Sequence, residues 1–477
     1  MKIRLHDSLA GAVRDLETAE PGVAKVYTCG PTVYLPQHIG NFKTFVFEDL
    51  LCRTLALAGY RVRQVMNITD VGHMTADDVA DGGGVDKMEV SARREGVEPL
   101  AVAARITERF HRDRKALRIR DADAYPRATE HIPEMIDVIL RLVSRGHAYV
   151  VGGNVYFEVA TFPGYGKLSK NTVASLEAGA RVEVNPEKRH PADFALWKTD
   201  EKHIMQWDSP WGRGFPGWHI ECSAMAVKHL GTPTLDIHCG GEDHLFPHHE
   251  CEIAQSEGAF GVPFARHWLH GRFMNIEGRK MSKSLENFWT LDDLVAKGCD
   301  PVAVRYHLLS AHYRSPMNFS LEGIAGAAAA VERIRGCLRN LVEDPAAPPL
   351  GSEGAKPLSF QRGFEEALAD DLNISEALAR VHDAVRWVNS RPAWDGLAAA
   401  GIRELFGVFD QVLDVLRVEG GPSPSGPSDA DIESLVADRE AARKSRDFPR
   451  SDALRKRLLD LGVVLEDTPR GPRWTRR

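Results

Sequence analysis

A strand, a glycine turn, a helix and a second strand follow one another at the start of the chain, and that order restricts it to a parallel α/β sheet. Val26-Tyr27-Thr28 reads as a strand, Gly30-Pro31 as a turn, 42–58 as a helix stopped by Gly59, and 62–68 as the next strand. Units of this kind cross over right-handed and bind nucleotides beyond the carboxyl ends of their strands. Cys29 and His38 fall there, in a segment running from Cys29 to Asn41 that contains His38-Ile39-Gly40-Asn41.

Far downstream stands Lys280-Met281-Ser282-Lys283-Ser284. Alone, such a run is usually a solvated turn. Paired with the His38 segment it suggests one ATP site assembled from both ends of a long domain. Two ammoniums on a loop can neutralise charge that builds on a triphosphate when its α-phosphorus is attacked, while the turn carrying His38 holds the same phosphates from the other side.

The chain has 477 residues, enough for about three domains, with 27% charged and 43% hydrophobic residues, as in ordinary globular proteins. No stretch reaches the roughly 20 apolar residues of a membrane span, and Met1 to Asp7 lacks the apolar core of a signal peptide, so a cytoplasmic protein is expected. Seven cysteines spread over the chain argue against a disulfide framework and leave metal binding or simple burial. The formal charge is −7, yet the residues from Arg439 onward hold twelve Lys/Arg against six Asp/Glu. A small module meeting a polyanion and a basic solvated helix explain that segregation equally well.

Helical spacing recurs over 100–117 and 132–142, and 154–159 reads as a strand before a glycine turn. The nucleotide fold is thus expected as 1–119, interrupted by an insertion over 120–212 and resumed over 213–299 with the lysine loop. Trp207, Trp211 and Trp218 are read as one compact loop region. Helices follow over 300–345 as a stem-contact region, then a proline-rich linker. A helical bundle over 350–420 includes a helix capped by Asn373, with Ile374, Ala377, Leu378, Val381, Val385 and Val388 on one face. A Pro/Gly/Ser-rich break at 419–427 sets off a small basic domain over 428–477. The fold class is α/β: a Rossmann-like doubly wound parallel sheet with an insertion, then helical domains and a small basic C-terminal domain.

Soft and borderline metal ligands concentrate in Cys29, in Cys222 and in the run His244 to Glu252. If Pro247 opens a helix, His248 and Glu252 share a face at i and i+4, and His248 and Cys251 at i and i+3 serve almost as well. Spacing alone leaves the ligand set open.

The two signatures resemble those of class I aminoacyl-tRNA synthetases, with Asn41 where the usual pattern ends in His. Cys29-Gly30-Pro31-Thr32-Val33-Tyr34, Gly217-Trp218-His219-Ile220-Glu221-Cys222-Ser223-Ala224-Met225 and Phe246-Pro247-His248-His249-Glu250 with Glu252 narrow the resemblance to the cysteinyl-tRNA synthetase family. The likeness runs nearly end to end, through Asn67-Ile68-Thr69-Asp70-Val71, Ala178-Gly179-Ala180-Arg181-Val182 and Leu465-Glu466-Asp467-Thr468-Pro469 before Trp474.

The resemblance implies one zinc per chain on Cys29, Cys222, His248 and Glu252, with Cys239, Cys251 and His249 outside the coordination sphere. It implies an amino-acid pocket with Trp218, Thr69 and Asp243, and ATP binding by His38, Gly40, Asn41, Lys280, Met281, Ser282, Lys283 and Ser284. Among these, His38, Asn41, Lys280 and Lys283 act in catalysis. Mg2+ accompanies ATP, L-cysteine is activated, tRNA(Cys) accepts it, and the protein is a monomer. Asn41 can donate a hydrogen bond but carries no charge. Two rivals share the core: a cysteine ligase acting on an amino sugar, which should lack the anticodon module, and a catalytically silent zinc- or RNA-binding paralogue.

Overall fold

The computed structural model describes all residues except 75–83, 172–184, 281–287, 418–428, 446, 462, 469–470 and 477; for Arg279, Lys280 and some residues of the last two helices and hairpin it describes backbone only. The chain divides into two compact units, Met1–Val415 and Leu416–Arg477.

The first unit is built on four parallel strands: β1 (Val23–Thr28), β2 (Arg61–Met66), β3 (Leu235–Gly241) and β4 (Ala265–Gly271), in the order β4-β3-β1-β2. β3 is buried at every position, as expected for a central strand covered on both faces. The order reverses between β1 and β3, so a crevice for ligands opens beyond Thr28 and Gly241.

Helix α1 (Ile39–Leu57) joins β1 to β2, and α2 (Trp218–Leu230) and α3 (His248–Phe260) flank β3. The expected first helix begins three residues earlier than its apolar spacing suggests, because His38 caps it. Trp218 is the first residue of α2 rather than part of the loop with Trp207 and Trp211.

The insertion carries a four-stranded antiparallel sheet (Ala148–Val151, Asn154–Phe157, Phe194–Lys198, Phe215–Pro216) where only one strand was legible. Gly152 and Gly153, both at positive φ, make the two-residue hairpin, a connection that wants left-handed residues at both positions.

The helical part of this unit includes Pro301–Leu309, Leu321–Arg339, Lys356–Ala369, Ile374–Val388 and Gly396–Leu413. Asn373 does cap its helix, accepting from the Glu376 N–H, and the six apolar residues assigned to its inner face are all buried. Among the described residues no helix is long and apolar enough to cross a membrane.

The helices are fastened to α1 by a buried arginine. The Arg305 guanidinium is fully buried, sits 2.6 Å from Asp49 of α1, and donates to the carbonyls of Leu117, Arg118, Val412 and Leu413. Asp49 also pairs with Arg53, which reaches Asp414 at 2.9 Å. A buried pair of this kind is worth little against an apolar replacement of both partners, but removing one partner strands the other.

The second unit packs helices Asp429–Lys444 and Phe448–Asp460 on a hairpin, Val463–Thr468 with Gly471–Arg476, around Ile432, Val436, Leu458, Val463 and Leu465, with Trp474 against them. Arg443, Lys444, Arg450, Arg455, Lys456 and Arg457 are exposed, whereas Arg439 is buried beside Glu440.

Arg305→Met should destabilise the first unit by about 3 kcal/mol, the usual cost of stranding one buried partner; denaturant unfolding followed by tryptophan fluorescence measures it, and an unchanged midpoint would refute the role given to this contact.

Candidate active site

Two backbone approaches set the crevice. Cys29 N–H donates to the Cys239 carbonyl at 3.1 Å, carrying the β1–β3 ladder one residue past the strand. Gly30 N–H donates to Asn67 Oδ1 at 2.9 Å, and a Cβ on Gly30 would lie 1.8 Å from the Asn67 carbonyl. Only glycine permits this approach. The chain then pairs onward, Val33 N–H to the Thr69 carbonyl and Thr69 N–H to the Pro31 carbonyl.

The Thr69 hydroxyl donates to Glu221 Oε2 at 3.0 Å and accepts from Asn67 Nδ2 at 3.1 Å. Glu221 of α2 is fully buried, and burial, with Cys222 and Asp70 nearby, pushes its carboxyl well above the usual range. This buried acid escaped the sequence reading although it lies next to Cys222.

Pro247 does precede a helix, so His248 and Glu252 share a face of α3, with His248 Nε2 2.9 Å from Glu252 Oε1. Cys29, Cys222, His248 and Glu252 are all buried, and their ligand atoms lie within 4.8 Å of one another. Two sulfurs, an imidazole and a carboxylate in that space suit zinc. Cys251 points elsewhere, its Sγ 3.6 Å from the Tyr165 hydroxyl, so the i, i+3 alternative falls away. Cys239 contributes its carbonyl to the β1 ladder and is not among these four donors.

Opposite charges gather among these donors, while burial and the neighbouring Cys222 push the Cys29 thiol well above its usual range. Burial alone would raise the Cys222 thiol, but hydrogen bonding with Cys29 and the nearby His248 bring it to about 6. Burial also opposes ionisation of Glu252, yet His238 and His248 hold it at about 2. His248, against the cost of its own burial, is raised to about 10 by Glu252 and Cys222.

Two further histidines stand inside this cluster. His249 Nε2 is 3.3 Å from Cys29 Sγ, and His238 Nε2 is 2.8 Å from Glu252 Oε2. Burial and neighbouring imidazoles push His249 well below its usual range and so keep it neutral. His249, expected outside the coordination sphere, touches the ligand candidate Cys29 directly. His238 gave no sequence signal, since only the pairing of β1 with β3 brings its strand beside Cys29.

Trp218 bridges the cluster and the crevice, stacked on His73 at 4.1 Å and tilted on His248 at 4.5 Å between ring centres. Thr69 joins the same region through Glu221. Asp243 lies on the 3-10 turn Glu242–Leu245 after β3 and is exposed; a Cβ on Gly241 would meet its carboxylate oxygen at 2.3 Å. Its neighbour His244 has its ring 5.4 Å from those of both His248 and His249.

At the other lip, His38 and Asn41 form a reciprocal cap of α1. Asn41 N–H donates to His38 Nδ1 at 3.2 Å and His38 N–H donates to Asn41 Oδ1 at 3.1 Å. Asn41 thus holds the turn with its amide oxygen. Gly40 is the second residue of the helix.

The same turn receives the chain that follows the lysine loop: Ile39 N–H donates to the Trp289 carbonyl at 2.9 Å, His38 bridges Thr290, and the Phe288 ring lies 4.8 Å from that of His38. Before the loop, Arg279–Lys280 pairs antiparallel with Met274–Ile276. Met281, Ser282, Lys283 and Ser284 lie outside the described residues, as does the Lys280 side chain, but both flanks of the segment are fixed beside the His38 turn or on the adjoining hairpin.

Gly30→Ala should cost about 1–3 kcal/mol or more, as overpacking against a rigid neighbour does, and should displace Cys29; a thermal melt and a metal titration check both, and wild-type values in each would refute the close-approach argument.

Comparison with known proteins places this geometry. The description "tRNA synthetases class I (C) catalytic domain" matches residues 15–329, "DALR domain" matches 363–417 and "Cysteinyl-tRNA ligase anticodon binding domain" matches 427–474. The cysteine–tRNA ligase of Chlorobium luteolum is 44% identical over 491 residues, covering 100% of this chain and 99% of that protein. That of Solibacter usitatus is 45% identical over 485 residues and covers 100% of both.

Among solved structures, Mycobacterium tuberculosis methionyl-tRNA synthetase bound by methionyl-adenylate superposes with a TM-score of 0.57 at 18% identity, over 83% of this chain and 90% of that one. The Agrobacterium radiobacter LeuRS in a ternary complex with tRNA and LeuAMS does so with a TM-score of 0.58 at 12% identity, over 94% and 95%. At those identities the structures speak for the fold alone. Full-length similarity on this fold settles the family: the chain belongs to the cysteine–tRNA ligases of the class I aminoacyl-tRNA synthetases.

Proposed function

We propose that the chain joins cysteine to tRNA(Cys) in two ATP-dependent steps. The cysteine carboxylate attacks the α-phosphorus of ATP, the bond to the β-phosphate breaks, and cysteinyl-adenylate and pyrophosphate form. A hydroxyl of the 3′-terminal adenosine of tRNA then takes the acyl group and AMP leaves. No protein nucleophile is needed, so positioning and charge stabilisation carry the chemistry.

The observation that carries the reading is the buried Cys29, Cys222, His248, Glu252 cluster under Trp218 at the switch point of the sheet. Zinc bound by those four residues would supply a soft acceptor for the cysteine sulfur that the hydroxyl of serine cannot match. Trp218 shapes the pocket above it, Thr69 is held by Glu221 and Asn67 toward the amino group, and Asp243 at the rim contributes negative charge to the same end. His38, Gly40 and Asn41 present the N-terminus of α1 to the phosphates of ATP, which enters as its magnesium complex. Lys280 and Lys283 neutralise charge on the departing pyrophosphate, and Met281, Ser282 and Ser284 take part with them in binding ATP.

The anticodon-domain match over 427–474 and the exposed basic residues of the second unit support tRNA as acceptor over an amino sugar. In this reading the chain divides into the two halves of the nucleotide fold, the insertion, the helical modules and the small basic domain, as expected from sequence. The protein works as a cytoplasmic monomer.

Purified protein with ATP, magnesium and total tRNA should charge labelled cysteine and not serine. Exchange of pyrophosphate into ATP without charging would move the assignment to a different acceptor, and absence of both activities would refute it. Lys283→Ala should slow that exchange by roughly 100-fold or more, as loss of a transition-state charge contact does, with cysteine binding little changed; an unaltered rate would remove Lys283 from the mechanism.

A further inference from the structure

The metal cluster holds more ligands than one ion can use. Cys29, His238, His249 and Glu252 form a second buried group whose donor atoms all lie within 4.8 Å of one another, overlapping the first in Cys29 and Glu252. Glu252 divides itself between the two: Oε1 faces His248 at 2.9 Å, and Oε2 faces His238 at 2.8 Å. Cys29 Sγ stands between them, 3.9 Å from Glu252 Oε1 and 3.3 Å from His249 Nε2. Ligand atoms around tetrahedral zinc are roughly 3.5 Å apart, given bonds of about 2.0–2.3 Å, so Cys29 and His249 are already at ligand spacing.

His249 is also held as ligating histidines are. Its Nδ1 is 2.8 Å from His270 Nε2, and His270 Nδ1 is 2.8 Å from Ser8 Oγ, a relay that fixes the ring with Nε2 toward Cys29. His248 is braced in the same way, its Nδ1 2.9 Å from His219 Nδ1. The relay thus runs from Cys29 through two imidazoles to Ser8.

We propose that His238 and His249 form a second, inner resting place for a zinc-type divalent ion, which shares Cys29 and Glu252 with the outer place formed by Cys222 and His248 and retains the ion when either outer ligand is lost. This rests on the reading of the outer four as the metal site that meets substrate. In this proposal one ion serves both places and occupies them one at a time. The outer place offers two thiolates, the inner only one, so passage inward exchanges a sulfur and an imidazole for two imidazoles, with Glu252 switching from one carboxylate oxygen to the other.

The test is metal content and the cobalt spectrum of the full-length protein, with thermal melting as the folding control. Cys222→Ser should keep close to one equivalent of zinc after gel filtration and, loaded with Co2+, show thiolate-to-metal absorption about half as intense as the wild type, since that band counts bound thiolates. His248→Asn, a second route to the same state, should keep one equivalent too. His249→Gln alone should keep the ion in the outer place with the two-thiolate spectrum, and adding it to Cys222→Ser should weaken retention a further tenfold or more, the least that loss of a ligand or its support costs.

Background metal in both folded single variants Cys222→Ser and His248→Asn, or equal retention by Cys222→Ser with and without His249→Gln, would overturn the proposal and leave the outer site intact. Background metal in His249→Gln alone would instead overturn the outer assignment itself.

Discussion

The approach of Gly30 to Asn67 is the constraint on which the site depends. The end of β1 can lie against the end of β2 only because residue 30 has no side chain, and from that contact the rest follows. Cys29 is directed into the crevice between β1 and β3, Asn67 spends its amide on Gly30 and Thr69, and Thr69 reaches across to Glu221 on α2. One backbone contact therefore registers three separate segments on a common floor. The donors of α2 and α3 meet Cys29 there, although those of α3 stand 220 and 223 positions away in the sequence.

The legible parts were those written in local chemistry. The βαβ opening, the Asn373 cap and the turn-spaced pair His248 and Glu252 need only neighbours within a few residues, and the structure holds each of them. The insertion sheet was less legible: Phe194–Lys198 is buried on both faces and so lacks alternation, and its partner strands are only two to four residues long. Trp218 was placed in a loop because Gly and Pro precede it, but Gly217 is the N-cap of α2.

In the site, composition pointed to the right neighbourhood but could not rank its histidines. His249 and His238 enter through strand order and through the rotation of α3, and neither quantity is carried by spacing. Asn41 is the opposite case. Its lack of charge is a puzzle for the phosphates, but the helix gives it a task, since the reciprocal cap with His38 uses its side-chain oxygen as acceptor.

The buried guanidinium of Arg305 has a dynamic consequence. It closes carbonyls left open near the ends of helices from distant parts of the chain, Leu117 and Arg118 on one side and Val412 and Leu413 on the other, while holding Asp49 of α1. Neither the nucleotide fold nor the helices behind it can open without exposing that charge and those carbonyls together. The first unit should accordingly exchange its core amides as one cooperative block, with slow protection continuous from α1 into the Gly396–Leu413 helix instead of falling off at a domain boundary.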